Sequence, residues 1–261
     1  MGTRRESPPM IGVEPIWADG GPGPLQGAGV LVCHGFSGSP ASVRDSSQYL
    51  IDQGAAVACP LLPGHGTTWH QMRLSTHQDW YSVLPPALDW LAERTHVQVV
   101  FGLSMGGALA LRIAQLEPVA GVVLVNPSVG TDSPVYRLVP LLAKFLPTVR
   151  GIGSDTKTEA VTEPSYPRAP LAAVASMREL WRLVVQDLDS VRVPVLLFTS
   201  REDHVVDGYS GRLLRRRLPE LTDYWLENSY HVATMDNDAG FINQTTTAFI
   251  SDLLRAADEP Q

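Results

Sequence analysis

Five short stretches of the sequence are continuously apolar, and longer amphipathic stretches follow most of them. The apolar stretches are residues 29–34, 55–62, 97–102, 121–125 and 193–200. Strands that are apolar throughout, rather than at alternate positions, are typical of a parallel sheet that is covered on both faces. We therefore predict an α/β fold, in which helices pack on both sides of a mostly parallel, doubly wound sheet.

Apolar residues at helical spacing lie between and after the predicted strands. This spacing predicts helices over residues 41–53, 78–94, 105–116, 212–218 and 241–256. Pro85 and Pro86 must kink or interrupt the second helix, because proline removes a backbone hydrogen bond and clashes with the preceding turn. A short last strand is predicted at residues 223–227, and residues 18–28 are predicted to be a turn-rich connection from an early strand.

One long segment, residues 129–189, contains no convincing core strand. It holds two apolar helical pieces, at residues 136–146 and 171–185, and a polar loop at residues 151–170. Connections of this length are rarely simple loops. We therefore predict a single domain over residues 1–261, in which residues 130–189 form an inserted cap, called the cap segment below.

Charge and composition narrow the possible functions. The net charge is −7 and no basic patch stands out, which argues against a nucleic-acid partner. Cys33 and Cys59 each lie in an apolar stretch, so both are predicted to be reduced and buried. No stretch reaches the ~20 apolar residues that span a bilayer, and no signal-peptide core follows residues 1–9. A cytoplasmic protein is expected, and no nucleotide-binding motif or other cofactor signal is present.

The pattern Gly102-Leu103-Ser104-Met105-Gly106 lies where a predicted strand ends and a predicted helix begins. A nucleophilic serine at such a turn has a strained backbone, and the residues two positions away must be small because they approach other backbone closely. The pattern alone is a weak signal. Its position at the carboxyl end of a strand is where open α/β sheets bind ligands, so we predict Ser104 to be a nucleophile.

A serine nucleophile requires a base, and the base requires an orienting acid. On α/β sheets the acid and then the histidine follow the serine along the chain, at the ends of later strands. Asp203 follows residues 193–200 and is the predicted acid, with Glu202 and Asp207 as alternatives. His231 follows the predicted last strand and is the predicted base.

Ester cleavage also requires N–H donors for the oxyanion. We predict the backbone N–H groups of Met105, at the helix start, and of Phe36, in the tight loop after the first core strand. The ring of Phe36 would then face the acyl pocket. His34 is predicted to shape this loop by hydrogen bonding rather than to act as the base. His65 lies between two glycines, which favours a turn over a metal site.

Five segments, HGFSGSP, PLLPGHGTT, GLSMGG, EDHVV and NSYHVATMD, together resemble the bacterial monoacylglycerol lipase and carboxylesterase family of the α/β hydrolases. Their order and spacing extend over most of the chain. The resemblance implies Ser104, Asp203 and His231 as a catalytic triad, with Phe36 and Met105 as oxyanion donors. It also implies that the protein hydrolyses small-molecule carboxylic esters, with monoacylglycerols favoured.

Residues 151–155 resemble a cap loop of the same family. The resemblance implies that Ile152 lines the alcohol side of the pocket and that Glu163 holds the glycerol hydroxyls, which a carboxylate can do as a hydrogen-bond acceptor. Residues 131–149 match the family less closely. Apolar side chains of that stretch are expected to cover the acyl channel, or alternatively to contact lipid transiently. They are Val139, Leu141, Leu142, Phe145 and Leu146.

Other activities on the same fold stay open. A short-chain carboxylesterase, a thioesterase and an acyltransferase all use the same three catalytic groups with a different leaving group or acceptor. A ligand receptor that has lost catalysis is disfavoured, because Ser104, Asp203 and His231 are all present.

Overall fold

The computed structural model describes residues 12–159 and 161–259. Within these residues the strands fall into one seven-stranded sheet and one separate pair. The strands are β1 (Ile16–Ala18), β2 (Ala28–Cys33), β3 (Ala56–Cys59), β4 (Val97–Leu103), β5 (Gly121–Val125), β6 (Thr148–Arg150), β7 (Arg168–Pro170), β8 (Val195–Ser200) and β9 (Leu221–Leu226).

The large sheet has the strand order β1-β3-β2-β4-β5-β8-β9. Strand β1 pairs antiparallel with β3, and the other neighbouring strands of this sheet pair in parallel. Leu103 of β4 pairs with Val125 of β5, which is in register with Phe198 of β8. The carboxyl ends of these three strands therefore meet at one edge, and the predicted α/β fold is confirmed.

Helices cover both faces of the sheet. They are α1 (Arg44–Asp52), α2 (Trp69–Met72), α3 (His77–Ser82), α4 (Leu84–Ala92), α5 (Met105–Leu116), α6 (Val139–Leu142), α7 (Leu171–Gln186), α8 (Tyr209–Arg217) and α9 (Ala239–Asp258). One buried cluster packs α4, α5 and α7 on one face, and a second packs α1 and α9 on the other. Both faces of each central strand are thus buried, which explains the continuous apolar stretches.

Prolines set two of the helix boundaries in the first half of the chain. The predicted helix over residues 78–94 is two helices, because Pro85 and Pro86 occupy the first turn of α4, where a missing N–H costs no intrahelical bond. The predicted helix over residues 41–53 begins as a 3-10 turn, Pro40–Val43, in which the Ser39 side chain accepts the N–H of Ala41.

The cap segment leaves the sheet after β5 and returns to it at β8. Its helical piece at residues 171–185 is confirmed as α7. The prediction of one helix over residues 136–146 was too long, since the structure has a 3-10 turn, Pro134–Leu138, followed by the single turn α6. Pro147 follows closely and disfavours a helical conformation at the residue before it.

The predicted loop at residues 151–170 is also shorter than expected. Its last three residues are β7, which pairs antiparallel with β6 just before the loop. Strands of three residues are too short to show the alternating pattern by which strands are predicted. This pair brings the two ends of residues 151–167 together and fixes where the loop starts and ends.

Both cysteines are free and buried, as predicted, with Cys33 facing one apolar cluster and Cys59 the other. Among the helices of the described residues, none is both long enough and apolar enough to cross a membrane. The expectation about residues 1–9 concerns residues outside the described part of the chain.

Candidate active site

Ser104 lies at the sharp turn between β4 and α5, at the carboxyl end of the sheet. Its φ is 56°, a left-handed conformation that costs energy for a residue with a side chain. A Cβ at Gly106 would lie 2.0 Å from the carbonyl oxygen of Cys33, and one at Gly102 would lie 2.3 Å from that of Gly106. Close backbone contacts therefore require both glycines of the pattern.

His231 and Asp203 form a chain of hydrogen bonds with Ser104. Nε2 of His231 is 2.9 Å from Ser104 Oγ, and Nδ1 is 2.8 Å from Asp203 Oδ2. The side chains of His231 and Asp203 are 7% and 9% exposed, so water competes little for these bonds. The structure thus brings together the three residues that were predicted as nucleophile, base and acid.

Backbone N–H groups hold the Asp203 carboxylate in position. Val205 and Val206 both donate to Oδ1 at 2.8 Å, which leaves Oδ2 for His231. Burial acts to raise the pKa of Asp203, but the charge and hydrogen bond of His231 and the two N–H groups bring it below its usual range. Asp203 is therefore ionised at neutral pH and can stabilise a positive charge on His231.

The two alternative acids have other partners. Glu202 forms an ion pair with Lys157, and Asp207 accepts a hydrogen bond from the Thr131 hydroxyl. Across the described residues, neither carboxylate bonds to His231. The geometry therefore favours the first choice of acid.

The loop after β2 lies against the nucleophile. A Cβ at Gly35 would lie 3.5 Å from Ser104 Cβ, and Ser37 has a left-handed φ of 58°. In the described part of the chain, the backbone N–H groups of Phe36 and Met105 have no hydrogen-bond acceptor. An oxyanion requires two such free donors next to the reacting hydroxyl. Their role in catalysis stays a prediction.

His34 shapes this loop, as expected. Its Nε2 accepts a hydrogen bond from the Leu62 N–H at 3.2 Å, so Nδ1 carries the proton and donates to the Gly35 carbonyl at 3.0 Å. Burial lowers the pKa of His34 to about 3, which keeps the ring neutral and this arrangement intact at physiological pH.

His65 occupies the expected turn, between two glycines with left-handed φ. Its ring packs edge-on against Phe36 and Trp80. Over residues 12–159 and 161–259, no group of three or more His, Cys, Asp or Glu side chains could hold a metal ion. Through these ring contacts, His65 forms part of the wall behind residues 34–38, the candidate oxyanion loop.

Two spaces open next to Ser104. A cavity of about 200 Å³, called the inner cavity, extends from Ser104 toward α7. A space of about 20 Å³ on the other side contacts Ser104 and His231. Ile152 lines both, and Glu163 lines the smaller one. The inner cavity is also lined by Phe36, Ser128, Gly130, Thr131, Ser133, Tyr136, Met177, Trp181, Val205, Val206 and Asp207.

Glu163 reaches from the cap segment into the catalytic centre. A Cβ at Gly38 would lie 2.6 Å from Glu163 Oε1, so the carboxyl group lies directly on the candidate oxyanion loop. Burial raises the pKa of Glu163 to about 7, although the charge of His231 and the Ser42 hydroxyl favour the carboxylate. The Glu163 carboxyl group therefore lies beside the catalytic triad, and its role in binding substrate stays a prediction.

The apolar side chains at residues 139–146 differ from the favoured expectation. Val139 is buried and Leu142 is half-buried, but Leu141, Phe145 and Leu146 are 54%, 76% and 49% exposed. None of them lines the inner cavity. The expectation that they cover an acyl channel was wrong for the three exposed side chains: Leu141 lies on the outer face of α6, and Phe145 and Leu146 follow that helix.

Asn126 is a supporting residue that the sequence analysis did not identify. It follows β5, and its Nδ2 donates to the backbone carbonyl of His231 at 2.8 Å and to Ser200 Oγ at 2.9 Å. Its Oδ1 accepts the Ser200 N–H at 2.7 Å. A polar residue directly after an apolar strand was the available signal, since such residues meet at the carboxyl edge.

Two further aspartates connect the cap segment to the loop of His231. Asp155 Oδ2 accepts the backbone N–H of His231 at 3.1 Å and that of His204, next to Asp203, at 3.2 Å. In the opposite direction, Asp236 accepts the backbone N–H of Lys157 at 2.6 Å. Both aspartates occur in the segments that carry the resemblance, but nothing in the sequence indicated which groups they contact.

The fold and this constellation define a class of protein. The chain belongs to the alpha/beta hydrolase family, and the model of that family matches residues 30–244. Within the family, the chain is 35% identical over 248 residues to the thermostable monoacylglycerol lipase of Bacillus sp. (strain H-257), covering 94% of this chain and 96% of that protein. The family resemblance found in the sequence is confirmed.

Two further comparisons agree. The chain is 24% identical over 230 residues to a carboxylesterase of Bacillus subtilis (strain 168), covering 86% of this chain and 92% of that protein. A solved structure from work on LipS and LipT, two metagenome-derived lipolytic enzymes, matches with a TM-score of 0.87 and 39% identity. The match covers 93% of this chain and 99% of that one.

Proposed function

We propose that the protein is a serine hydrolase that cleaves carboxylic esters, with monoacylglycerols as its favoured substrates. The observation that carries this proposal is the hydrogen-bonded chain from Ser104 through His231 to Asp203 at the carboxyl edge of the sheet. The relatives named as monoacylglycerol lipase and carboxylesterase support the same class of reaction.

The reaction has two acyl-transfer steps. His231 takes the proton of Ser104 as Oγ attacks the ester carbonyl, and Asp203 stabilises the resulting imidazolium. The oxyanion receives hydrogen bonds from the N–H groups of Phe36 and Met105. His231 then protonates the leaving alcohol, and water, activated by the same histidine, releases the acid from Ser104.

The two spaces beside Ser104 suit the two halves of a monoacylglycerol. The inner cavity, of about 200 Å³, would take the acyl chain. The smaller space, lined by Ile152, Glu163 and His231, would take the alcohol. Glu163 can hold two glycerol hydroxyls there as an acceptor. This supports glycerol over a simple alcohol as the leaving group.

The cap segment, residues 130–189, is proposed to be an insertion that covers the active site and contacts the lipid interface from which substrate is taken. Its inner loop supplies Ile152 and Glu163, and α7 supplies Met177 and Trp181 to the inner cavity. Exposed side chains of its other part form an apolar surface that fits transient contact with a lipid interface. They are Val135, Leu138, Leu141, Phe145 and Leu146.

A labelling experiment and a substrate panel test the proposal. A fluorophosphonate probe is expected to label the purified protein, and Ser104→Ala is expected to abolish both labelling and ester hydrolysis. A chain-length series of monoacylglycerols beside matched ethyl esters, thioesters and acceptor alcohols then separates lipase, esterase, thioesterase and transferase activity. Equal labelling of Ser104→Ala would overturn the enzyme assignment, and faster turnover of ethyl esters would overturn the preference for glycerol.

A further inference from the structure

A second cavity lies next to the inner cavity, on residues that Ser104 does not adjoin. This outer cavity has a volume of about 370 Å³ and opens at the surface between residues 131–137, α7 and α8. The inner and outer cavities share the lining residues Gly130, Thr131, Ser133, Tyr136 and Trp181. The shared residues place the two cavities next to each other, and Ser104 lines the inner one and not the outer one.

The outer cavity is lined by three arginines, Arg137, Arg178 and Arg182. Arg182 is neutralised by an ion pair with Glu179. Within residues 12–159 and 161–259, Arg137 and Arg178 form no hydrogen bond and no ion pair. Arg178 is in addition half-buried on α7, and a guanidinium group that is partly removed from water without a partner favours an anion.

Among the described residues, no carboxylate forms an ion pair with either of these two arginines, although the charge of Glu179, which is paired with Arg182, acts on Arg178. Asp132 is the one acidic residue among the described residues that line the outer cavity, and it is paired with Arg212. Asp207, in the wall of the inner cavity, accepts hydrogen bonds from the Thr131 hydroxyl and the Asp132 N–H. The described lining of the outer cavity therefore has three arginines and one carboxylate, and that carboxylate is paired with an arginine outside the cavity.

Trp181 lies at the junction of the two cavities. It is 7% exposed and lines both of them, and its indole N–H has no acceptor in the described part of the chain. Buried donors normally have a partner. This unpaired N–H is a second feature, independent of the arginines, that fits a ligand acceptor at this end of the channel.

We propose that the outer cavity is an anion subsite for the far end of the acyl group. The substrates it selects are esters whose acyl chain ends in a carboxylate, that is, half-esters of dicarboxylic acids. The proposal rests on the ester hydrolysis proposed above and specifies its acyl substrate. The anion belongs to the acyl half, because the alcohol half meets Glu163, whose carboxylate would repel a second negative charge.

The substrate test compares charged and neutral esters of equal length. Monoethyl esters of straight-chain dicarboxylic acids, from succinic to sebacic acid, are measured beside the corresponding esters with a terminal carboxamide. At one preferred length, kcat/KM is expected to be higher for the carboxylate by about tenfold or more, as for a hydrogen bond between charged groups. Equal values at every length would overturn the proposal.

Variants test whether the two arginines cause the preference. The double variant Arg137→Gln with Arg178→Gln should reduce the ratio of kcat/KM for the carboxylate ester to that for the carboxamide ester about tenfold. The double variant Arg137→Lys with Arg178→Lys should retain most of this ratio. Arg216→Gln is the matched control, since Arg216 is exposed on α8 and lines neither cavity. A double glutamine variant that keeps the parent ratio would overturn the proposal.

Binding separates failure of this proposal from failure of the catalytic one. Calorimetric titration of Ser104→Ala with the half-ester of preferred length, or with adipate monoethyl ester if turnover identifies none, measures affinity without turnover. Affinity that falls about tenfold in the double glutamine background supports the subsite even if the protein hydrolyses no ester. Ester hydrolysis without any binding preference for the carboxylate would overturn the subsite alone.

Discussion

Two parts of the cap segment relate to the catalytic centre in opposite ways. The inner loop, residues 151–166, is fastened to the core by hydrogen bonds through Asp155, Lys157 and Tyr166. The outer arm, residues 134–146, makes no side-chain hydrogen bond or ion pair within the described residues and exposes apolar side chains. One insertion thus combines a part that is fixed to the catalytic loops by hydrogen bonds with a part that reaches the cavities only through Tyr136 and Arg137.

The largest effect is expected where the inner loop holds the catalytic histidine. Asp155→Ala removes the acceptor of the backbone N–H of His231 and of His204. Small displacements of a catalytic group can lower the rate about 10²-fold, so kcat should fall by about that factor while KM changes little. Asp155→Asn keeps one carbonyl acceptor and should recover part of the loss.

The control for this prediction is Asp132→Ala. Asp132 belongs to the same cap segment, and its carboxylate forms an ion pair with Arg212. It contacts the loop of Asp203 only through its backbone N–H, which Asp132→Ala retains. Steady-state kinetics and thermal unfolding are measured on all three variants. A loss of kcat in Asp132→Ala equal to that in Asp155→Ala would mean that the inner loop has no special connection to catalysis.

A smaller and more selective effect is expected at Glu163. Glu163→Gln keeps the shape of the side chain but removes the charge that would bind the glycerol hydroxyls, so kcat/KM for a monoacylglycerol should fall about tenfold. The value for the ethyl ester of the same acid should fall much less. Equal losses on both esters would assign Glu163 to the shared chemistry and not to glycerol recognition.

The same variant has a predictable effect on stability. Because burial raises the pKa of Glu163 to about 7, the folded protein binds this proton more tightly than the unfolded chain. The stability from that proton is present below the ordinary glutamate pKa and is lost as the pH rises through about 7. Chemical unfolding should therefore show Glu163→Gln gaining stability relative to the parent between about pH 5 and about pH 8.

The catalytic residues could be predicted from the sequence, but the contacts by which the inner loop supports them could not. The order and context of Ser104, Asp203 and His231 were sufficient to select them, because parallel strands bring their carboxyl ends to one edge whatever the loops do. Ile152 and Glu163 came from the family resemblance. The hydrogen bond from the His231 N–H to Asp155 joins residues 76 positions apart in the sequence. The pattern of apolar residues does not predict a contact between two such loops.

The outer arm was harder to predict for a different reason. Its single helical turn is set by local prolines, and the strands β6 and β7 that follow the arm are set by pairing across the loop. Neither depends on a long apolar pattern. Which of its side chains face outward depends on the packing of one helical turn on α7. Sequence reasoning therefore identified its apolar residues but not the direction in which they point.

A difference in stability should also separate the two parts. The buried Tyr166 hydroxyl donates to the Gly64 carbonyl and accepts the Thr67 N–H, both at 2.8 Å. Tyr166→Phe should lower the free energy of unfolding by about 1–2 kcal/mol. Tyr136→Phe, in the outer arm, removes a hydroxyl without a hydrogen bond in the described residues and should change it by less than about 0.5 kcal/mol.

Urea unfolding of the two tyrosine variants measures this difference. The midpoint should fall for Tyr166→Phe with an unchanged slope, since the surface exposed on unfolding stays the same. Equal midpoints for both variants would show that the inner loop is no more firmly attached than the outer arm.

The smallest effect is expected in the outer arm, and only at a lipid interface. Phe145 is 76% exposed. Its full burial in lipid would contribute about 1.5–3 kcal/mol to the free energy of membrane binding. Partial insertion contributes less, so Phe145→Ser should lower the hydrolysis of vesicle-bound monoacylglycerol about threefold. Turnover of a soluble short-chain ester should stay the same, because Phe145 lines neither cavity.

Leu74→Ser is the matched control for Phe145→Ser, since Leu74 is 77% exposed but lies outside the cap segment. If exposure alone attracted the protein to vesicles, both variants would lose activity equally on the vesicle substrate. A loss confined to Phe145→Ser would instead mean that the outer arm faces the lipid while the inner loop holds the site in place. Unchanged vesicle activity in both variants would remove the lipid role from the outer arm.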